Sequence, residues 1–167
     1  METKDLSGAF RAHVITVSDG VSAGTREDVS GPALATLLQN QRFEVSGPEV
    51  VPDDEQRIGD ALVAAVVAGA DIVVTTGGTG LGPRDVTPQA TSMLIDYPVP
   101  GLGELMRRAG VASTPMAALS RGVAGVRGRT LILNVPGSMK GATESLEAVL
   151  PVLGHAMQLL HGNTKHG

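Results

Sequence analysis

The chain has 167 residues, 42% hydrophobic and 18% charged, with a formal net charge of −4. That is one compact domain with enough apolar side chain for a core, which excludes disorder. It carries no cysteine, no tryptophan, one tyrosine and two phenylalanines. Disulfides, thiolate chemistry and Cys-ligated metals are therefore excluded, and an acidic, aromatic-poor surface argues against polymeric nucleic acid as a partner.

Taken in order, Met1–Asp5 has no apolar stretch of the kind a secretory signal needs, and residues 1–11 read as a polar lead-in. Residues 12–17, Ala-His-Val-Ile-Thr-Val, read as a buried strand ending in Ser18-Asp19-Gly20. A polar loop runs through Val29. Ser30 is placed to cap a helix carrying Leu34, Leu37 and Leu38, with Pro32 in its first turn. Residues 43–51 form a second strand interrupted at Gly47-Pro48. Asp53 is expected to open the next helix, with Gln56 three residues on in a pattern close to a capping box. Ile58, Leu62, Ala65, Val66 and Gly69 then recur at helical spacing. The longest apolar run, residues 61–70, is half the ~20 residues that a membrane-spanning helix requires. The chain is expected to be soluble and cytoplasmic.

Residues 71–75, Asp-Ile-Val-Val-Thr, read as a third strand without polar alternation. Continuously apolar strands alternating with helices indicate a parallel sheet covered on both faces. Thr87-Pro88 suits a helix start running to about Ile95, broken by Tyr97–Gly101 and followed by a helix over 102–109. Residues 122–126 and 130–135 flank Arg127-Gly128-Arg129 as a hairpin, which adds an antiparallel element. Pro136-Gly137-Ser138 opens the last helix, striped by Ala142, Leu146, Val149, Leu153, Ala156 and Leu160. Pro151 is expected to kink or split it. The tail runs from His161 to Gly167. The fold class is α/β: one domain over 1–167, a three-layer sandwich on a mostly parallel sheet.

The strongest chemical signal is residues 75–88, Thr-Thr-Gly-Gly-Thr-Gly-Leu-Gly-Pro-Arg-Asp-Val-Thr-Pro. It follows a buried strand and precedes a helix, where open α/β sheets bind ligands. Four glycines at 77, 78, 80 and 82 let backbone N–H groups approach an anion, and Thr76 and Thr79 add hydroxyls. The spacing is neither that of a Walker A loop nor that of a dinucleotide-binding fold, and a plain connector is the alternative. Asp53 and Asp85 both stand near strand ends. On spacing alone Asp53 is a helix cap, and Asp85 either pairs with Arg84 and loop amides or shares a cleft with Asp53 to hold Mg²⁺ and phosphates. Ser18-Asp19 and Asn134-Val135-Pro136-Gly137-Ser138 mark two further strand ends, with Ser138 as a helix cap. Ser120-Arg121 is a substrate contact or an ordinary turn. His13 reads as a strand residue with a satisfied ring and His155 as helix surface. The four histidines lack metal-ligand spacing, and no Gly-x-Ser-x-Gly elbow is present.

Val17-Ser18-Asp19, Val51-Pro52-Asp53-Asp54, the 75–88 string, Pro100-Gly101, Leu119-Ser120-Arg121 and Asn134–Ser138 occur in one order that resembles the Mog and MoaB family of molybdenum cofactor biosynthesis, which includes the gephyrin G domain. The likeness covers about residues 12–161. It implies a homotrimer and a molybdopterin adenylyltransferase that uses ATP and Mg²⁺, with hand-off to a molybdenum insertase. Carried over by motif, the resemblance gives Asp53 and Asp85 catalytic and metal-holding roles. It assigns Ser18, Asp19, Thr76, Gly77, Gly78, Thr79, Gly80, Ser120, Asn134, Pro136, Gly137 and Ser138 to nucleotide, phosphate and pterin binding. The alternative is a non-catalytic molybdopterin-binding scaffold of the MoaB type. A CinA-like reading fits less well, because the first loop here is Ser-Asp-Gly and the glycine loop reads Gly-Gly-Thr-Gly.

Overall fold

The computed structural model describes residues 10–163. Of the expected lead-in over 1–11, residues 1–9 lie outside the described residues and Arg11 already opens a strand; of the expected tail over 161–167, residues 164–167, with His166, lie outside. Four strands run parallel: β1 (Arg11–Val17), β2 (Glu44–Val51), β3 (Ile72–Thr76) and β6 (Thr130–Val135). With β4 (Tyr97–Pro98) and β5 (Ala124–Arg127) they form a six-stranded sheet in the order β2-β1-β3-β6-β5-β4. β5 pairs antiparallel with both β6 and β4, so the hairpin expected around Gly128 is present. The expected break at Tyr97 supplies a two-residue edge strand.

Strand periodicity and helices on both faces explain why β3 and β6 are buried throughout. Ile72, Val74, Leu131, Leu133 and Val135 enter one core with α2 (Ser30–Asn40), α5 (Pro100–Ser113) and α6 (Met139–Leu160). Val73 and Ile132 point the other way, to Ile58, Leu62 and Ala65 of α3 (Glu55–Val67) and Ala90 of α4 (Thr87–Ser92). Helices on both faces make the three layers, and successive side chains of one strand are buried on opposite sides.

Several local expectations are corrected. Asp53 does not cap α3; Asp54 does, its Oδ1 accepting the Arg57 N–H at 2.9 Å. Ser30 is the first residue of α2 rather than its cap. Asp28 does the capping work there, accepting the Gly31 N–H at 3.0 Å. Thr87 likewise lies inside α4 and spends its hydroxyl on the Gly77 carbonyl at 2.9 Å. Asp19–Ser22, read as loop, is a single helical turn, α1. α5 extends the expected 102–109 helix in both directions. It leads into a 3₁₀ turn, Pro115–Leu119, that the sequence reading did not foresee. α6 continues through Pro151 as one 22-residue helix. Pro151 and Glu147, whose carbonyl loses its partner there, both lie on the exposed side. His13 has a satisfied ring, at 2.6 Å from the Ser46 hydroxyl and 3.1 Å from Glu49, and His155 is exposed.

Candidate active site

All four parallel strands deliver their carboxyl ends to one edge of the sheet, and their following loops meet there. β1 runs into Ser18-Asp19, β2 into Asp53, β3 into the glycine loop and β6 into Pro136–Ser138. Backbone and side-chain bonds tie these loops together. Ser18 N–H donates to the Val51 carbonyl at 3.0 Å and Gly77 N–H to the Val135 carbonyl at 3.1 Å. Asp19 and Asp53 clasp reciprocally: the Asp19 N–H donates to Asp53 Oδ2 at 2.8 Å, and the Asp53 N–H donates to Asp19 Oδ1 at 3.0 Å.

The glycine loop begins with two left-handed residues, Gly77 at φ +105° and Gly78 at φ +70°. A Cβ on Gly77 would collide with the Val17 carbonyl, and one on Gly78 with the Thr87 hydroxyl. Here the glycines serve close approach of the chain to itself. The turn they form opens a polar cavity of about 420 Å³ lined by Ser18, Asp53, Gly77, Gly78, Asp85 and Gly137, among others. A second cavity of about 440 Å³ adjoins it, lined by Met106, Met116 and Leu119 with Ser120, Asn134 and Pro136. Thr79, Gly80 and Ser138 line both. The two chambers therefore share a wall, and Ser138 caps α6 at it, accepting the Gly141 N–H at 3.1 Å.

The structure separates the sequence candidates by what their polar atoms already do. Thr76 is fully buried and donates to the Pro136 carbonyl at 2.7 Å, with the Ser30 hydroxyl 3.1 Å away. Its hydroxyl locks two loops together at the wall of the polar cavity. Asn134 is also spent: its amide donates to Thr75 and Thr91 at 2.9 and 3.0 Å, and its carbonyl accepts the Val123 N–H. Ser18 caps α1 through the Val21 N–H at 3.2 Å. Ser120 accepts the Gly122 N–H at 3.3 Å while facing the apolar cavity.

Arg84 does not pair with Asp85. It reaches back 65 residues to Asp19, Nε and Nη2 each 3.0 Å from a carboxylate oxygen. That fork, helped by the Asp53 N–H, holds the Asp19 carboxyl below the usual range, and Arg84 in turn keeps its proton more firmly. Asp53 behaves oppositely. Partial burial raises its pKa, and the neighbouring Asp19 and Asp85 charges add to this, against the lowering effect of the Asp19 N–H and of Arg84.

Asp53 and Asp85 both face the polar cavity, and each has one oxygen occupied by a backbone N–H: Asp53 Oδ2 by Asp19, and Asp85 Oδ2 by Gly82 at 2.9 Å. Asp53 Oδ1 turns toward Gly78, 3.2 Å from where a Cβ would stand. Two carboxylates on the wall of one cavity, each with a backbone N–H on one oxygen only, suit a hard cation that completes its shell with substrate oxygens. Mg²⁺ is bound in that way by one or two carboxylates plus phosphate. Sequence reasoning missed Asp28, Arg26 and Glu27 on the polar cavity and Arg107, Lys140 and Glu144 on the apolar one. They come from segments without a motif, and only the assembled fold brings them to the cavity walls.

The family profile described as "Probable molybdopterin binding domain" matches residues 13–155. The chain is 40% identical over 165 residues to the "Molybdenum cofactor biosynthesis bifunctional protein" of Synechococcus elongatus, covering 99% of this chain and 51% of that one. It thus spans about half the length of that relative. To the "Molybdopterin adenylyltransferase" of Helicobacter pylori strain J99 it is 40% identical over 153 residues, 90% of this chain and 87% of the relative. The solved structure of the molybdopterin biosynthesis enzyme MoaB from Thermus thermophilus superposes with a TM-score of 0.86 at 57% identity, covering 92% of this chain and 97% of that one. A CinA protein from Thermoplasma acidophilum, 20% identical with a TM-score of 0.65, shares the fold alone.

Proposed function

The chain belongs to the molybdopterin-binding domain family of molybdenum cofactor biosynthesis, and we propose that it is a molybdopterin adenylyltransferase. The observation that carries this reading is the pair of carboxylates, Asp53 and Asp85, facing one polar cavity beside an apolar one. In the reaction, the terminal phosphate of molybdopterin attacks the α-phosphorus of ATP. A new P–O bond forms, the bond from the α-phosphorus to the bridging oxygen breaks, and pyrophosphate leaves. The attacking phosphate is already ionised, so no strong general base is required and catalysis rests on positioning and charge neutralisation.

This chain's residues supply both. Asp53 and Asp85 would hold Mg²⁺, which when bound neutralises developing phosphate charge. The backbone over 78–80 and Met139, the first residue of α6, line the same cavity and suit phosphate oxygens. Ser18 and Gly137 line it as well. The apolar chamber, with Met106, Met116 and Leu119, takes one of the substrate ring systems, leaving the shared wall of Thr79, Gly80 and Ser138 beside the reacting phosphates. The Asp19–Arg84 pair is half-exposed and braces the loops from outside.

ATP and molybdopterin are the substrates in this reading. The assembly is a homotrimer in the cytoplasm, and the product passes to a molybdenum insertase. Incubation of the protein with molybdopterin, ATP and Mg²⁺ should yield adenylylated molybdopterin detectable by mass. Binding of molybdopterin without any adenylylated product would replace the enzyme with a scaffold.

A further inference from the structure

Arg121 lies outside both cavities, yet it holds the loop that presents Asp85. The stretch from Thr79 to Asp85 has little internal support. The Asp85 N–H reaches the Gly82 carbonyl at 3.0 Å, and the Gly82 N–H returns to the Asp85 carboxylate. Gly80 and Gly82 both press on that carboxylate, since a Cβ on either would stand 2.9 Å from Asp85 Oδ2. A loop this rich in glycine has wide backbone freedom unless something outside fixes it.

Arg121 supplies the outside fixation from a segment 41 residues away in sequence. Its Nε donates to the Gly80 carbonyl at 2.8 Å and its Nη2 to the Asp85 carbonyl at 2.7 Å. Its Nη1 reaches the Gln89 amide oxygen at 3.3 Å, and its own N–H donates to the Thr79 carbonyl at 2.8 Å. One planar guanidinium thus joins the entering limb of the loop, the leaving limb and the following helix α4. Nε and Nη2 point along parallel directions, which matches two carbonyls side by side. An ammonium is a single point donor and cannot span them in that geometry.

We infer that Arg121 is a positioning residue for adenylyl transfer, setting the Asp85 carboxylate through the backbone of the Gly80–Asp85 loop. This rests on the adenylyltransferase reading for its rate consequences, while the effect on the loop stands without it. Displacement of a reacting group by about 1 Å can lower a rate about 10²-fold. Arg121→Ala should therefore lower kcat by about that factor with a smaller change in KM for ATP. Arg121→Lys should behave like Arg121→Ala, because the fork and not the charge is what the loop uses.

The test measures three things on wild type, Arg121→Ala and Arg121→Lys: turnover, melting temperature, and amide exchange of residues 79–85. Added guanidinium ion is included with Arg121→Ala. The inference predicts faster exchange in 79–85 for both variants, a preserved cooperative melt, and partial recovery of kcat and of loop protection by guanidinium. Wild-type exchange in the loop of Arg121→Ala overturns it. So does full turnover in Arg121→Lys, or lost turnover that guanidinium leaves unchanged. If wild-type protein transfers no adenylyl group, the functional reading fails by itself. The exchange data, with and without guanidinium, then still decide the role of Arg121.

Discussion

Asp53 and Asp54 are adjacent carboxylates with opposite jobs, and the structure separates them cleanly. Asp54 caps α3, while Asp53 is clasped to Asp19 and turned to the polar cavity. Asp54→Ala should lower stability by about 1 kcal/mol, the usual worth of an Asp cap, and leave turnover intact. Asp53→Asn should do the reverse, lowering turnover by about 10²–10³ as a preorganised electrostatic contact is lost. Its effect on stability follows from the raised pKa. A carboxyl that binds its proton more tightly when folded contributes stability below the ordinary carboxylate pKa and loses it as pH rises through the raised value. At neutral pH the ionised Asp53 therefore weighs against the fold, so Asp53→Asn should melt at or above the wild-type temperature. In the metal-free protein the Asp53 carboxyl should give up its proton above the usual aspartate range, and a midpoint at the ordinary aspartate value would contradict its placement. Spacing pointed to Asp53 as the cap, but Asp54 satisfies helix-start spacing as well, and only the partner 34 residues away separates the two.

At the scale of the element, the four strand ends were legible because continuous apolar strands, loop glycines and Ser/Asp/Asn at each end all point the same way. The glycine loop was legible as a close-approach turn, but the object approached was not. Gly77 and Gly78 fold against Val17 and Thr87, so Gly78→Val strikes the fold as well as the cavity. A valine there meets both a positive φ of +70° and the Thr87 hydroxyl. It should lower the melting temperature by several degrees as well as weakening ATP binding. Calorimetric titration and a thermal melt on the same sample check both, and an unchanged melt would mean that the loop relaxes freely. The apolar chamber was invisible in the sequence. Its wall comes from α5, the 3₁₀ turn and α6, whose lining residues form no motif and meet only when the elements are packed. The pairs of Arg84 with Asp19 and of Arg121 with Gly80 and Asp85 were equally hidden, because no local spacing encodes contacts across 65 and 41 residues.

For the whole molecule, the sheet order and the two helical layers place every candidate loop at one edge. Large apolar side chains remain exposed elsewhere, among them Val67, Met93 and Val111. A closed trimer would cover part of this surface, and a stable interface buries about 1,200–2,000 Å². Light scattering should give about three times the 17.0 kDa chain mass, and a 17.0 kDa particle at all micromolar concentrations would contradict the trimer. The central claim is that two carboxylates at one cavity drive adenylyl transfer to molybdopterin. Its most direct test is pyrophosphate release from ATP, measured with and without molybdopterin, for wild type, Asp53→Asn and Asp85→Asn. Wild type should release pyrophosphate only when molybdopterin is present, and each variant should show a fall of about 10²–10³. Molybdopterin-dependent release at the wild-type rate in both variants would contradict it.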